Sequence, residues 1–250
     1  MVRSENQDSL GKFPEGSLDL SLPKGQLFVV ADGMGGHNAG RAASETAVRA
    51  LGETYLGNPG NDLVAALREA FQAANTQIYD QSLADPAFAG MGTTCTALVL
   101  KDGHGLIGHI GDSRVYRITR RSITQLTNDH SKVAELVRRG IITREQSRTH
   151  PERSQLYRAL GTRPQAEVDF VTSVRLSGEC SFLLCSDGLY NHVTEDEMQS
   201  IVLARSPDEA CETLIGLANE RGGYDNITVE VVRVSAVEGG LKRLLRRKRR

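Results

Sequence analysis

Four short apolar runs in this chain each meet a carboxylate at a glycine-containing bend. QLFVVA (26–31) opens into Asp32-Gly33, and SFLLC (181–185) reaches Asp187-Gly188 after one serine. GLIGHI (105–110) ends at Gly111-Asp112, and Asp225 stands after two glycines and just before ITVEVV (227–232). Short runs rich in Val, Ile, Leu and Phe read as buried strands, and glycine lets backbone approach closely. A single Asp-Gly is most simply a turn. Four together, aimed from stiff strand ends at one region, would repel one another unless a cation lay between them. An all-oxygen donor set selects Mg²⁺ or Mn²⁺ over zinc or copper.

The 250 residues read as one domain, or one domain and a tail, with ordinary globular proportions of 39% hydrophobic and 24% charged residues. No run approaches the roughly 20 apolar residues that span a bilayer, and the N-terminus MVRSENQDSL lacks the apolar stretch of a secretory signal. A cytoplasmic protein is expected. Cys95, Cys180, Cys185 and Cys211 match neither zinc nor redox spacing and are expected as buried free thiols. The net charge of −1 hides an asymmetry. The last nine residues, KRLLRRKRR, carry seven positive charges, and without them the body has 23 basic against 31 acidic residues. An acidic body argues against nucleic-acid binding and suits a protein that holds cations.

Along the chain, 3.6-residue periodicity predicts helices at about 40–56 (Ala43, Ala47, Leu51, Tyr55) and 62–83 (Leu63, Leu67, Phe71, Ala74, Ile78). Strand-like runs follow at 94–100, 105–110, 114–118 and 123–126, most simply a meander. Residues 128–165 are polar and read as an insertion. Strands near 167–176 and 181–185, helices near 194–204 and 207–220, and a strand at 227–234 complete an α+β order.

Other phosphate chemistries are absent as motifs. No cysteine is followed six positions later by arginine, no His-Glu-x-x-His occurs, and neither a P-loop nor a Gly-x-Ser-x-Gly elbow is present. What the segments do match, in order, is a family. RSENQDS (3–9), FVVADGMGGH (28–37), GMGTTCTAL (90–98), GHIGDSRVYR (108–117), LTNDHS (126–131), YRALG (157–161), LLCSDGLY (183–190) and YDNITV (224–229) resemble the metal-dependent protein phosphatases of the protein phosphatase 2C family in their bacterial form.

The resemblance implies two packed antiparallel β-sheets flanked by helices on both outer faces, and a phosphatase domain over 1–236 with a flap at about 128–165. It implies a serine/threonine phosphatase using two Mn²⁺ or Mg²⁺ ions, with a third weaker one, and attack on phosphorus by a hydroxide between two metals. Carried over by position, Asp32 bridges the metals, Asp187 and Asp225 complete the first, and the Gly33 carbonyl serves the second. Asp112 with Asp187 matches the third-metal pair. Asp8 supports the site through bound water, and Arg3 binds phosphate. Met34 stands where eukaryotic relatives place a proposed histidine acid, leaving His37 as the candidate acid, although a structural role is the commoner one for a lone histidine. Gln7 and Asn191 also depart from the eukaryotic pattern. The strand usual before the first motif is missing ahead of Arg3. Of the flap arginines, Arg158 is the best candidate for substrate contact. The tail, 237–250, is expected to be disordered, and a membrane-proximal role through anionic lipid is weighed equally with a solubilising one. Phosphoproteins and a bacterial serine/threonine kinase are the implied partners of a monomer. The rival functions are a non-catalytic phosphoprotein-binding relative and a hydrolase of small phosphoesters.

Overall fold

The run 26–31 lies in a strand, Gln26–Met34, whose side chains alternate between two cores. Leu27, Val29 and Ala31 face one, and Phe28 and Val30 face the other. Both faces are covered, so the run is continuously apolar rather than alternating with polar residues. The computed structural model describes residues 3, 5–16, 19–36, 38–176, 178–235 and 243–249. The strands are β1 (Asp8–Phe13), β2 (Gln26–Met34), β3 (Gly92–Thr93), β4 (Cys95–Lys101), β5 (His104–Ile110), β6 (Arg114–Ile118), β7 (Ile123–Gln125), β8 (Asp169–Arg175), β9 (Cys180–Cys185), β10 (Val229–Ser235) and β11 (Arg243–Arg249). The α-helices are α1 (Ala39–Gly57), α2 (Leu63–Ala84), α3 (Lys132–Arg138), α4 (Arg144–Arg148), α5 (Asp187–Tyr190), α6 (Glu195–Ala204) and α7 (Pro207–Glu220).

Two antiparallel sheets result. One has the order β1-β2-β4-β5-β8, with β3 on β2, and the other β11-β10-β9-β6-β7. Their inner faces share one core that includes Phe28, Leu98, Ile107, Val115, Phe182, Leu184 and Val232. The apolar stripes of α1 and α2 cover the first sheet and those of α6 and α7 the second. This is the expected four-layer sandwich. The helix starts are set by local chemistry: Thr194 with Glu197 and Ser206 with Glu209 form reciprocal capping boxes, with Pro207 at the first turn of α7. All four cysteines are free and buried. Among the described residues, no helix is long and apolar enough to cross a membrane.

Three expectations change. The meander breaks after Ile110: β4 and β5 pair in one sheet, while β6 and β7 lie in the other. Gly111, at φ +104°, makes the bend that crosses between sheets, and a Cβ there would meet the Thr94 Cβ at 2.5 Å. The crossing lets Val115 face the shared core from the opposite side to Ile107. The tail is also different. Residues 243–249, expected to be disordered, form β11 antiparallel to β10, with Val229 opposite Arg249 and Ser235 opposite Arg243. The physical reason is the open edge of β10, whose backbone amides and carbonyls attract a further strand whatever its side chains. Finally, β1 has no counterpart among the expected elements.

Phe71 of α2 is fully buried against Gly108 and edge-on to Phe170, with ring centroids 6.2 Å apart. Phe71→Ala is expected to cost about 3–5 kcal/mol, read in urea unfolding as a lower midpoint at an unchanged slope.

Candidate active site

The β1–β2 register sets Asp8 directly opposite Asp32. Like charges at facing positions repel, and Asp8 is only 2% exposed. One of its oxygens, Oδ2, accepts a hydrogen bond from Ser186 Oγ at 2.8 Å. The other, Oδ1, is buried and has no hydrogen-bond partner among the described residues. Asp32 cannot back away, because its main chain is pinned. Its amide donates to Thr94 Oγ1 at 2.8 Å, and its carbonyl accepts from the Thr94 amide and the Thr93 hydroxyl, both at 2.9 Å. Gly33 follows where no side chain fits: a Cβ there would lie 2.0 Å from the Gly40 carbonyl oxygen.

The second sheet brings the other acids. Asp187 opens α5 directly after β9, and its Oδ2 accepts from Asn191 Nδ2 at 3.2 Å. Asp225 lies just before β10. Its Oδ1 accepts the Asn226 amide at 2.9 Å, and its Oδ2 accepts Arg3 Nη2 at 3.0 Å. Asn226 joins this loop to the N-terminal segment: its Oδ1 accepts the Gln7 amide and its Nδ2 donates to the Glu5 carbonyl, both at 2.9 Å. Ser186, which holds Asp8, accepts in turn from the Thr228 amide at 3.0 Å. Asp112 sits on the sheet-crossing bend. Its carbonyl accepts from the Tyr190 hydroxyl at 3.1 Å, and the Arg114 guanidinium lies 3.5 Å from the centre of the Tyr190 ring while pairing with buried Asp129.

These carboxyls feel one another. Burial first, then the charges of Asp8, Asp187, Asp112 and Asp225, hold the Asp32 carboxyl well above the usual carboxylate range. Burial and the charge of Asp187 do the same to Asp112. Asp187 is pushed up to about 7, by burial and then by Asp225 and Asp8. Among the described residues, no three His, Cys, Asp or Glu side chains already form a closed metal-ligating set. Asp225 is bonded to Arg3 and Asp187 to Asn191. The donors nonetheless suit hard divalent cations. They are oxygens only, they repel one another without positive charge, and Asp8 keeps a buried acceptor oxygen unused.

The structure thus brings Asp8, Asp32, Gly33, Asp112, Asp187, Asp225 and Arg3 to one end of the sandwich. Arg3 rests on an expected ligand, Asp225, and its guanidinium remains exposed. Arg158 pairs through Nε with Glu167 at 3.2 Å and through Nη1 with Asp169 at 3.1 Å. His37 lies outside the described residues. Sequence reading missed Ser186, Asn226 and Thr94 as supports. Their signal was there, since each stands within or beside a quoted motif as a side chain able to bond to backbone.

Comparison with known proteins agrees with the two-sheet fold. The sequence profile described as Protein phosphatase 2C matches residues 4–219. The chain is similar to the serine/threonine phosphatase Stp of Listeria welshimeri, 38% identical over 245 residues covering 96% of this chain and 94% of the relative. It is similar in structure to the Streptococcus agalactiae serine/threonine phosphatase, with a TM-score of 0.84 and 31% identity over 94% of this chain and 96% of that one. It also resembles the catalytic domain of the phosphatase PstP, solved in complex with two manganese ions, with a TM-score of 0.80 and 35% identity over 93% of each chain.

A carboxyl with a raised folded pKa stabilises the fold only while protonated, so its contribution is complete below the unfolded value near 3.8 and is lost as pH rises toward about 7. Chelator-treated protein is therefore expected to lose thermal stability from pH 5 to pH 8. Saturating Mn²⁺ should flatten or reverse that trend, because a cation bound only by the folded state adds stability. Differential scanning calorimetry with EDTA or Mn²⁺ checks it.

Proposed function

Because the chain belongs to the protein phosphatase 2C family and is a serine/threonine protein phosphatase, we propose that Asp32, Asp187 and Asp225, with the Gly33 carbonyl, hold two divalent cations, Mn²⁺ or Mg²⁺. Asp112 and Asp187 hold a third and weaker one. The observation that carries this reading is the facing pair Asp8 and Asp32, with Asp187, Asp112 and Asp225 close enough to raise the Asp32 pKa further. A cluster so destabilised by its own charge needs a cationic partner. When bound, such cations neutralise phosphate charge and make a water acidic enough to act as a nucleophile at neutral pH.

The protein's own groups supply the rest. Asp8, held by Ser186, keeps a buried oxygen without a hydrogen-bond partner among the described residues and would order a water that reaches it. Thr93 and Thr94 hold the Asp32 backbone still. Arg3 is exposed, paired with Asp225, and offers the planar fork that suits phosphate oxygens. Binding substrate moves it from Asp225 Oδ2 to the phosphate. Direct displacement by water agrees with the absence of a cysteine phosphatase loop. Substrates are phosphoserine and phosphothreonine in proteins, and a bacterial serine/threonine kinase is the opposing activity. The basic tail is the segment through which an anionic membrane surface would be met, and His37 is the candidate acid among side chains.

A small-phosphoester hydrolase is the second reading, favoured by the partial exposure of Asp32, Asp187 and Asp225. Turnover of para-nitrophenyl phosphate and of a phosphothreonine peptide should both require Mn²⁺ or Mg²⁺ and stop with EDTA. A higher kcat/KM for the peptide supports the protein phosphatase, whereas turnover of the aryl ester alone supports the second reading. Asp187→Asn is expected to lower kcat/KM for both by at least about 100-fold, since it removes a ligand charge. Activity that survives EDTA would sink the metal-dependent mechanism.

A further inference from the structure

His130 belongs to none of the roles described so far, yet it is bonded on every side. It is 1% exposed and lies between β7 and α3, at the start of the flap. Its amide donates to the Gly111 carbonyl at 2.7 Å, and its Nδ1 accepts from the Gly111 amide at 3.1 Å. Two bonds therefore clamp the residue immediately before Asp112. Because Nδ1 accepts, the ring hydrogen sits on Nε2, which donates to Asp169 Oδ2 at 3.2 Å. Asp169 Oδ1 accepts Arg158 Nη1 at 3.1 Å, and the His130 carbonyl accepts the Tyr157 amide at 3.0 Å. The ring lies near those of His109 and Tyr157, both tilted, at centroid distances of 4.9 and 5.7 Å. Tyr157 and Arg158 are where the flap returns to the sandwich.

We propose that His130 is a positioning residue for Asp112, clamping the Gly111–Asp112 bend on one side and the returning flap on the other. The inference rests on the reading of Asp112 as a ligand of the third cation. Gly111 has no side chain to steady itself, and its positive φ can be held only from outside. His130 holds it through both peptide groups. A histidine whose two nitrogens carry different partners orients whatever each partner supports. Asp169, locked by Arg158, fixes the ring's direction, so the seat of the flap and the placement of Asp112 are set together. Arg158 thereby supports the clamp through Asp169.

Two substitutions separate the clamp's arms. His130→Asn keeps an acceptor near the position of Nδ1 and loses the bond to Asp169. His130→Gln keeps a donor near Nε2 and loses the acceptor for Gly111. Mn²⁺ calorimetry on the full chain should show the tight sites unchanged in both variants. The weakest site should lose roughly 10–100-fold in affinity in His130→Gln and only a few-fold in His130→Asn. In Asp112→Asn the weakest site should vanish. Equal weak-site affinity in wild type and His130→Gln would overturn the proposal while leaving Asp112 a ligand. Parallel weakening of every site in both variants would also overturn it, since that is general loss of structure. A weak site that survives Asp112→Asn would remove the ligand reading, and the proposal with it. A measurement on the unaltered protein covers the case of variants that do not fold. The Gly111 amide should exchange hydrogen only at the pace of the protected sheet core, and exchange at the pace of an open loop contradicts the clamp.

Discussion

Two carboxylates facing each other across a pair of strands are an uncomfortable thing to bury, and this end of the molecule is organised around that pair. Asp8 and Asp32 are held opposite one another by backbone pairing that neither side chain can alter. Relaxation is prevented from three directions: Thr93 and Thr94 pin Asp32, Ser186 pins Asp8, and Asn226 ties residues 5–7 to the loop that carries Asp225. Folded proteins are only marginally stable, so a cluster of this kind persists because the sandwich beneath it is rigid enough to hold it. On the metal-site reading proposed above, its electrostatic cost would be offset by bound cations, and the same term would drive their binding.

The scaffold was legible in the sequence wherever a pattern was local. Helical periodicity located α1, α2, α6 and α7, and apolar runs located β2, β4, β5, β9 and β10, because each element buries a face determined by its own residues. The acids at strand ends were legible for the same reason, since Asp32, Asp112 and Asp187 each stand beside glycine at the edge of such a run and Asp225 follows a glycine pair two residues before one. What was not legible depends on distant partners. Asn226 acts on Gln7, 219 positions away. β11 depends on an open edge of β10 rather than on any strand-like pattern in RLLRRKR. The chain's crossing at Gly111 looks, in sequence, like one more hairpin turn.

The flap shows what an arginine-rich, polar segment does with its charge. Arg138 and Arg139 share Glu135, Arg144 reaches Glu195, and Arg158 is divided between Glu167 and Asp169. Exposed pairs of this sort contribute little to stability one by one. Their effect here is on direction: Arg158 fixes Asp169, and Asp169 fixes His130.

The placement of the acids also explains why the site needs this fold rather than any strand-end cluster. Asp32 comes from the first sheet, Asp187 and Asp225 from the ends of strands in the second, and Asp112 from the bend that joins the two. No single sheet can bring them together, so their separations are set by how the sheets pack across the core of Phe28, Leu98, Val115 and Phe182. Interiors packed at this density transmit small displacements instead of absorbing them. The distance between carboxylates is therefore governed by apolar side chains that never touch substrate, and the chemistry at the rim is an outcome of packing in the middle.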